Sequence, residues 1–370
     1  MDVSELKTPN FRLFALLLII SVLSGLVYVS AVSQGVMWQK SYDVSAAKSV
    51  QPTIDGGYVI SGGSVYLIKI SSSGTIQWQQ SYSGGQDDWS LREGSSVRQT
   101  SDGGYIISLI NTSPDVESNL PNLIKIKSDG SIQWSKNYGY YSGYSFSSVR
   151  QCADGGFIVV GTSYDGTSSS PGAILKTDSE GRVSWRVGGL SEGDWRLTCV
   201  ELTEDGGYII GGDNTYSPHL LKLSASGSVV WDHEFLSGSS GRVNSVAVSG
   251  DGSFIVVGYV EDVLDSGNMY PGYVAKIDGN GILVWFRLLE EMATTNLGGG
   301  VIGLTVACNE NIIICGGIGK EAGVIELDAR GNTLWTRTYG GGVFSSVFSV
   351  SGGYVLAGEA NGQERIIMIH

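Results

Sequence analysis

The sequence predicts an all-β fold, a seven-bladed β-propeller, and three features predict it. A turn followed by a short apolar strand, of the form DGGYIIGG, recurs seven times between Asp55 and Ser351. A second apolar strand follows each copy, and in six of the seven a glycine comes next with a tryptophan four residues later. The seventh tryptophan strand stands alone near the N-terminus, where Val36–Tyr42 (VMWQKSY) matches Ile76–Tyr82 (IQWQQSY). At 370 residues, length alone would suggest two or three domains, but the repeat builds one larger unit.

In chain order, residues 1–12 form a short N-terminal piece carrying Asp2, Glu5, Lys7 and Arg12. No charged residue then occurs before Lys40, and residues 13–33 are densely apolar. As a helix, Leu13–Val32 would span about 30 Å, the thickness of a bilayer core. It is read as a transmembrane anchor or a signal peptide, because Val29-Ser30-Ala31 and Ala31-Val32-Ser33 both offer small residues for cleavage. Lys7 and Arg12 before the segment leave the N-terminus in the cytoplasm and the rest outside. The expectation is therefore a propeller over 34–370 that is membrane-anchored and extracytoplasmic, or secreted if the segment is cleaved. The sequon Asn111-Thr112-Ser113 fits an exported chain.

The repeats begin at Asp55, Asp102, Asp154, Asp205 and Asp251, continue in degraded form at Asn309 (NENIIICGG), and end at Ser351 (SGGYVLAG). Each is preceded by a strand-like piece: SVQPT, SVRQT, SVRQC, CVELT, SVAVS, GLTVA and SVFSV. Each is followed by a second apolar strand, usually with a polar residue inside it, such as LIKI at Leu67 or LLKL at Leu220. Four short strands per unit result, with the Asp-Gly-Gly turn supplying positive φ for a tight hairpin. The tryptophans Trp38, Trp78, Trp134, Trp185, Trp231, Trp285 and Trp335 fall at one place in the outer strands, and packing between neighbouring blades is their expected role. The fourth strand of the last unit is missing, so the isolated Val36–Tyr42 strand is expected to complete it and close the ring.

Composition narrows the function. The 54 glycines show no collagen period and serve turns, and 42% hydrophobic residues suffice for a large core. A net charge of −13 argues against nucleic acid, which needs clustered Lys and Arg. Cys152, Cys199, Cys308 and Cys315 lack CxxC spacing, and Cys308 and Cys315 do not fall opposite each other in their hairpin. They read as buried small strand residues. His219, His233 and His370 are too dispersed for a metal centre. Asp278–Gly281 faintly resembles a calcium loop but sits in a strand-three-to-four turn and lacks the later ligands. There is no GxSxG elbow, HExxH or Walker loop. No cofactor, metal or catalytic residue is assigned.

The apolar strand ending in Asp178, Asp278 or Asp328, followed by a glycine and then tryptophan, resembles the tryptophan-docking repeat of quinoprotein-like propellers. The paired glycines after YII with a later tryptophan resemble kelch repeats. The wording DGGYIIxG…LIKID…G…W…YGG is similar to propeller repeats of exported bacterial and archaeal proteins, over Val36–His370. Quinone-dependent alcohol dehydrogenase chemistry would imply vicinal cysteines and a calcium site beside a catalytic aspartate, and this chain has no adjacent cysteines. The Gly-His and Trp-Asp signatures of WD40 repeats do not recur.

The one-to-two and three-to-four turns share one face and are short and uniform. The two-to-three and four-to-one loops share the opposite face and vary, as function-bearing loops on a fixed scaffold do. Those loops carry Asp87, Asp88, Trp89, Tyr140, Tyr141, Tyr164, Asp194, Trp195 and Tyr270. Aromatic faces beside carboxylates suit stacking on sugar rings or capture of a basic peptide. The unrepeated stretch Asp213–His219 reads as such a loop. The expected function is a non-enzymatic extracytoplasmic binding or scaffold propeller with a glycan or protein ligand. The alternatives are an exported quinoprotein-like oxidoreductase or hydrolase, or a purely structural envelope protein.

Overall fold

Short apolar runs between glycine turns are too brief for helices and suit strands that bury both faces. The computed structural model describes residues 35–42, 47–63, 65–82, 92–111, 123–138, 144–163, 172–187, 190, 193–215, 217–234, 236, 240–260, 270–294, 301–360 and 363–370. Among them there are strands and turns but no helix, and hence none long and apolar enough to cross a membrane. The expected segment 13–33 lies outside the described residues.

The isolated strand β1 is Val36–Ser41. Five four-stranded antiparallel sheets follow the repeat. The first is β2 (Ala47–Pro52), β3 (Tyr58–Gly62), β4 (Tyr66–Ile70) and β5 (Ile76–Ser81). The second is β6 (Arg92–Gln99), β7 (Tyr105–Asn111), β8 (Leu123–Ile126) and β9 (Ile132–Lys136). The third is β10 (Tyr144–Gln151), β11 (Phe157–Ser163), β12 (Gly172–Thr177) and β13 (Val183–Val187). The fourth is β14 (Trp195–Leu202), β15 (Tyr208–Asn214), β16 (Ser217–Leu223) and β17 (Val229–Glu234). The fifth is β18 (Gly241–Val248), β19 (Phe254–Val260), β20 (Tyr270–Ile277) and β21 (Leu283–Thr294).

The remaining strands are β22 (Val301–Val306), β23 (Ile312–Ile318), β24 (Glu321–Leu327), β25 (Thr333–Val350), β26 (Gly353–Ala360) and β27 (Gln363–Ile369). With β1 they form one sheet in the order β1-β27-β26-β25-β24-β23-β22. The 18-residue β25 pairs with β24 over its first half and with β26 from Gly342 onward. The expected loop at this four-to-one connection is thus replaced by continuous strand. β1 pairs antiparallel with β27, Trp38 opposite Met368, so the N-terminal strand completes the sheet made by the last repeat.

The first strand of each repeat is innermost. β2 contacts β6, and the contacts run on through β10, β14, β18 and β22 to β25, which returns to β2. All seven of these strands carry a register shift at the same place, where the ladder steps over Lys48, Ser95, Ser147, Thr198, Asn244, Ile302 and Ser345. Such bulges re-aim side chains and increase twist. Here they let hydroxyls reach sideways: Ser95 Oγ donates to the Ser147 carbonyl at 2.9 Å, Thr198 Oγ1 to Val243 at 2.6 Å, and Ser345 Oγ to Ala47.

The tryptophans are half-buried and dock each sheet onto the next. Trp78, Trp134, Trp185 and Trp231 lie 5.7–6.2 Å from Tyr105, Phe157, Tyr208 and Phe254, the aromatic residue after the turn glycines of the following repeat. Trp38 meets Tyr58 in the same way at 6.1 Å, tying the sheet of β1 to the first sheet. A methyl group on Gly181 would stand 2.9 Å from Trp134, so the glycine before each tryptophan also serves as a platform for the preceding ring. Trp285 and Trp335 pack in the corresponding core clusters.

The two turn glycines have different duties. Gly103 adopts φ 79°, whereas Gly104 is needed because a Cβ there would overlap the Ile126 carbonyl and crowd Lys125 Nζ. That lysine is the polar residue within the third strand, and it is buried. Lys69, Lys125, Lys176, Lys222 and Lys276 pair with Asp55, Asp102, Asp154, Asp205 and Asp251 at 2.6–2.9 Å. The Lys222 ammonium, then the Thr203 hydroxyl, hold the Asp205 carboxyl down at about 2, and Lys276 does the same for Asp251. The two degraded repeats change both partners together. Glu326 replaces the lysine where Asn311 Nδ2 donates to it at 2.5 Å, and Met368 replaces it where the aspartate has become Ser351.

The four cysteines are unpaired. Cys199 and Cys315 are buried strand residues as expected, but Cys152 is half-buried just past the end of β10 and Cys308 is exposed in the degraded turn. Asp278 Oδ1 accepts from the amides of Asn280 and Ile282, which makes the calcium-like stretch an ordinary turn.

Candidate functional site

Of the residues assigned to the variable face, Asp87, Asp88, Trp89, Tyr140, Tyr141 and Tyr164 lie outside the described residues. Asp194 is exposed, and its carbonyl accepts from the Thr215 amide at 3.0 Å. Trp195 is not available to a ligand: it opens β14, is 1% exposed, and meets the His219 ring edge-on at 4.9 Å. Tyr270 is half-buried and set perpendicular to Tyr259 at 5.8 Å.

Asp213–His219 is mostly strand and not loop. Asp213 lies within β15 opposite Arg196, and its carboxylate is fully buried. Arg196 Nε and Nη2 donate to Oδ2 at 2.9 and 2.7 Å, and Arg242 Nε, from the next sheet, donates to Oδ1 at 2.5 Å. A buried carboxylate needs this compensation, and the two guanidinium groups join β14 to β18 at the loop-bearing end. His219 stands 3.6 Å from Asp232, whose carboxyl burial pushes up while His219 and His233 oppose the shift.

The second feature is a cavity of about 400 Å³ on the axis, lined from all seven innermost strands. Register places Gln51, Arg98, Arg150, Glu201, Ala247, Thr305 and Phe348 at one level, each opposite the first residue after the turn aromatic, or its equivalent, of its own repeat. Gln51 Nε2, Arg98 Nη1 and Arg150 Nη1 each donate to the carbonyl of the preceding residue, at 3.0, 2.8 and 2.9 Å. Arg150 grips Glu201 with Nε at 2.8 Å and with Nη2. Among the described residues no carboxylate forms an ion pair with Arg98. The Asp213 cluster and this layer together hold four guanidinium groups and two carboxylates, in a chain of net charge −13.

This layer escaped the loop-centred reading of the sequence. Its signal was the third residue of the innermost motif: Gln, Arg, Arg, Glu, Ala, Thr and Phe in otherwise similar pieces such as SVQPT and SVRQT.

No protein-family profile and no curated protein sequence matches the chain. Solved structures do. The chain is similar to the WD40 β-propeller domain of Doa1, with a TM-score of 0.58 at 14% identity over 91% of this chain and 96% of that one. It is also similar to the β-propeller domain of Cps50 (Swd1) from Myceliophteria thermophila, with a TM-score of 0.58 at 9% identity over 90% and 98% of the two chains. The fold is a β-propeller. At these identities the likeness concerns the fold alone, and it carries neither the quinoprotein-like nor the kelch-like part of the expectation.

Proposed function

We propose that this chain is a non-enzymatic binding or scaffold propeller of seven blades, carried outside the cytoplasmic membrane on its N-terminal segment and engaging a glycan or protein through its variable loops. Counting the seven-stranded sheet as two blades that share β25 gives seven, in keeping with the closed circuit of innermost strands. The export reading rests on residues 13–33 and the basic residues before them.

The observation that carries the binding reading is the asymmetry between the two faces. On one face the turns repeat a single pattern, Gly56 to Thr53, Gly103 to Thr100, Gly155 to Cys152 and Gly206 to Thr203, with N–H···O distances of 2.8–2.9 Å. On the other, connections range from residues 215–216 between β15 and β16 to 112–122 between β7 and β8. Uniform turns are what folding requires, whereas unequal loops accommodate a partner.

Replacing Trp89, Tyr141 and Tyr164 together with alanine should abolish binding to any ligand the full chain selects from glycan and basic-peptide arrays. Circular dichroism should stay unchanged. Retained binding by the triple variant would remove this face from consideration.

A further inference from the structure

We propose that the axial cavity is a binding site for a small organic monocarboxylate with an apolar body, received by Arg98. The charged residues of the layer are contiguous in the ring, with Arg98 on β6, Arg150 on β10 and Glu201 on β14. The following strands β18, β22 and β25 contribute Ala247, Val248, Leu304, Val306 and Phe348, each half-buried and lining the same cavity. One side of the wall thus carries the charges, and the other sets these apolar side chains among the hydroxyls of Ser245, Thr305, Ser345 and Ser346.

The charge count selects the ligand. Arg150 and Glu201 neutralise each other through two hydrogen bonds. Arg98 uses one N–H on the Val97 carbonyl, which leaves the rest of its five-donor fork to the cavity. A guanidinium matches a carboxylate with two parallel hydrogen bonds. A single negative charge balances the layer, whereas a dianion would place its second charge against Glu201. Burial and the nearby Arg150 both disfavour the Arg98 cation, and Glu201 opposes them. The volume lies in the range of small-ligand sites, and the apolar side chains give the ligand's hydrocarbon part somewhere to leave water.

Isothermal titration of the purified full chain with hexanoate, acetate, hexanol and inorganic phosphate tests this. Hexanoate should bind saturably with one site per chain, on the order of a hundredfold more tightly than acetate if its four extra methylenes are buried, and hexanol should not bind measurably. Arg98→Gln should weaken hexanoate at least tenfold, Arg98→Lys should retain part of the affinity, and the exposed-site control Arg182→Gln should behave as the parent. Phe348→Ala should narrow the hexanoate–acetate difference while leaving acetate binding in place, which distinguishes a lost apolar wall from a lost fold. The proposal is overturned if hexanoate fails to bind, if Arg98→Gln binds it as the parent does, or if phosphate binds more tightly than hexanoate. The outcome is separable from that of the loop variants, which change different residues and are read out on glycan and basic-peptide arrays.

Discussion

A chain beginning after Tyr42 should not yield a stable monomer. Removing β1 takes away the strand paired to the outer edge of β27 and the Trp38–Tyr58 contact that joins the sheet of β1 to the first sheet. It also uncovers the cluster of Ile366, Met368, Val355 and Tyr58, against which Trp38 and Tyr42 pack. Loss of the tryptophan side chain alone would be worth about 3–5 kcal/mol, and an unpaired apolar edge invites association with other chains. Size-exclusion chromatography should find aggregates where a chain beginning at Gly35 gives a monomer peak. A synthetic Gly35–Tyr42 peptide added during refolding should restore part of that peak. A truncated chain that stays monomeric with an unchanged thermal midpoint would show that the ring does not depend on this strand.

Asp205→Ala should destabilise by about 2 kcal/mol, because it strands the Lys222 ammonium among apolar neighbours. The carboxylate itself is more than half exposed, so its screened attraction is the smaller part of that cost. The paired change Lys222→Met with Asp205→Ser copies the combination that the last repeat already uses at Met368 and Ser351, and should cost less than the single change. Urea midpoints for the cycle decide this. An additive result would mean that the two residues do not act as a unit.

The same pairs set the acid limit. The carboxyls of Asp205 and Asp251 lie at about 2, held there first by their lysines, against about 3.9 in an unfolded chain. Asp55 and Asp102 also lie at about 2, with burial opposing and Lys69 and Lys125 prevailing. Between these limits the unfolded chain binds more protons than the folded one. The stabilisation is complete above about pH 4 and is lost as pH falls through about 2. The urea midpoint should therefore drop across that interval, and less steeply in the Lys222→Met, Asp205→Ser variant.

The propeller was legible because its requirements recur. A turn needs Gly103, a close backbone approach needs Gly104, and docking needs Trp134 over Gly181, so the same letters return in each repeat. The displaced β1 was readable for the same reason. What recurrence hides is what differs at a repeated position. Asp213 looked like loop because nothing in the sequence indicates that Arg196 and Arg242 arrive to neutralise it within a strand. Trp195 looked like a loop aromatic because it follows Gly193 and Asp194, yet it begins β14 and turns inward. The buried lysines read as polar interruptions, since the aspartate that satisfies each one lies 14–25 residues earlier in the chain and had already been assigned to a turn. The axial layer was in plain view as a variable column, but only the register of seven strands reveals that its members face one another.

The continuous β25 has a consequence for how the molecule opens. Elsewhere adjoining sheets are separate hydrogen-bonded sets, so one can loosen while its neighbour holds. Thr333–Val350 belongs to the ladders on both sides of Gly341 and Gly342, and a break in either half is transmitted along a single backbone. The sheets made by the last two repeats should therefore exchange their amide protons as one cooperative block, which native-state hydrogen exchange would read. That block includes the edge where β1 is received, so opening at the closure should register across both sheets at once.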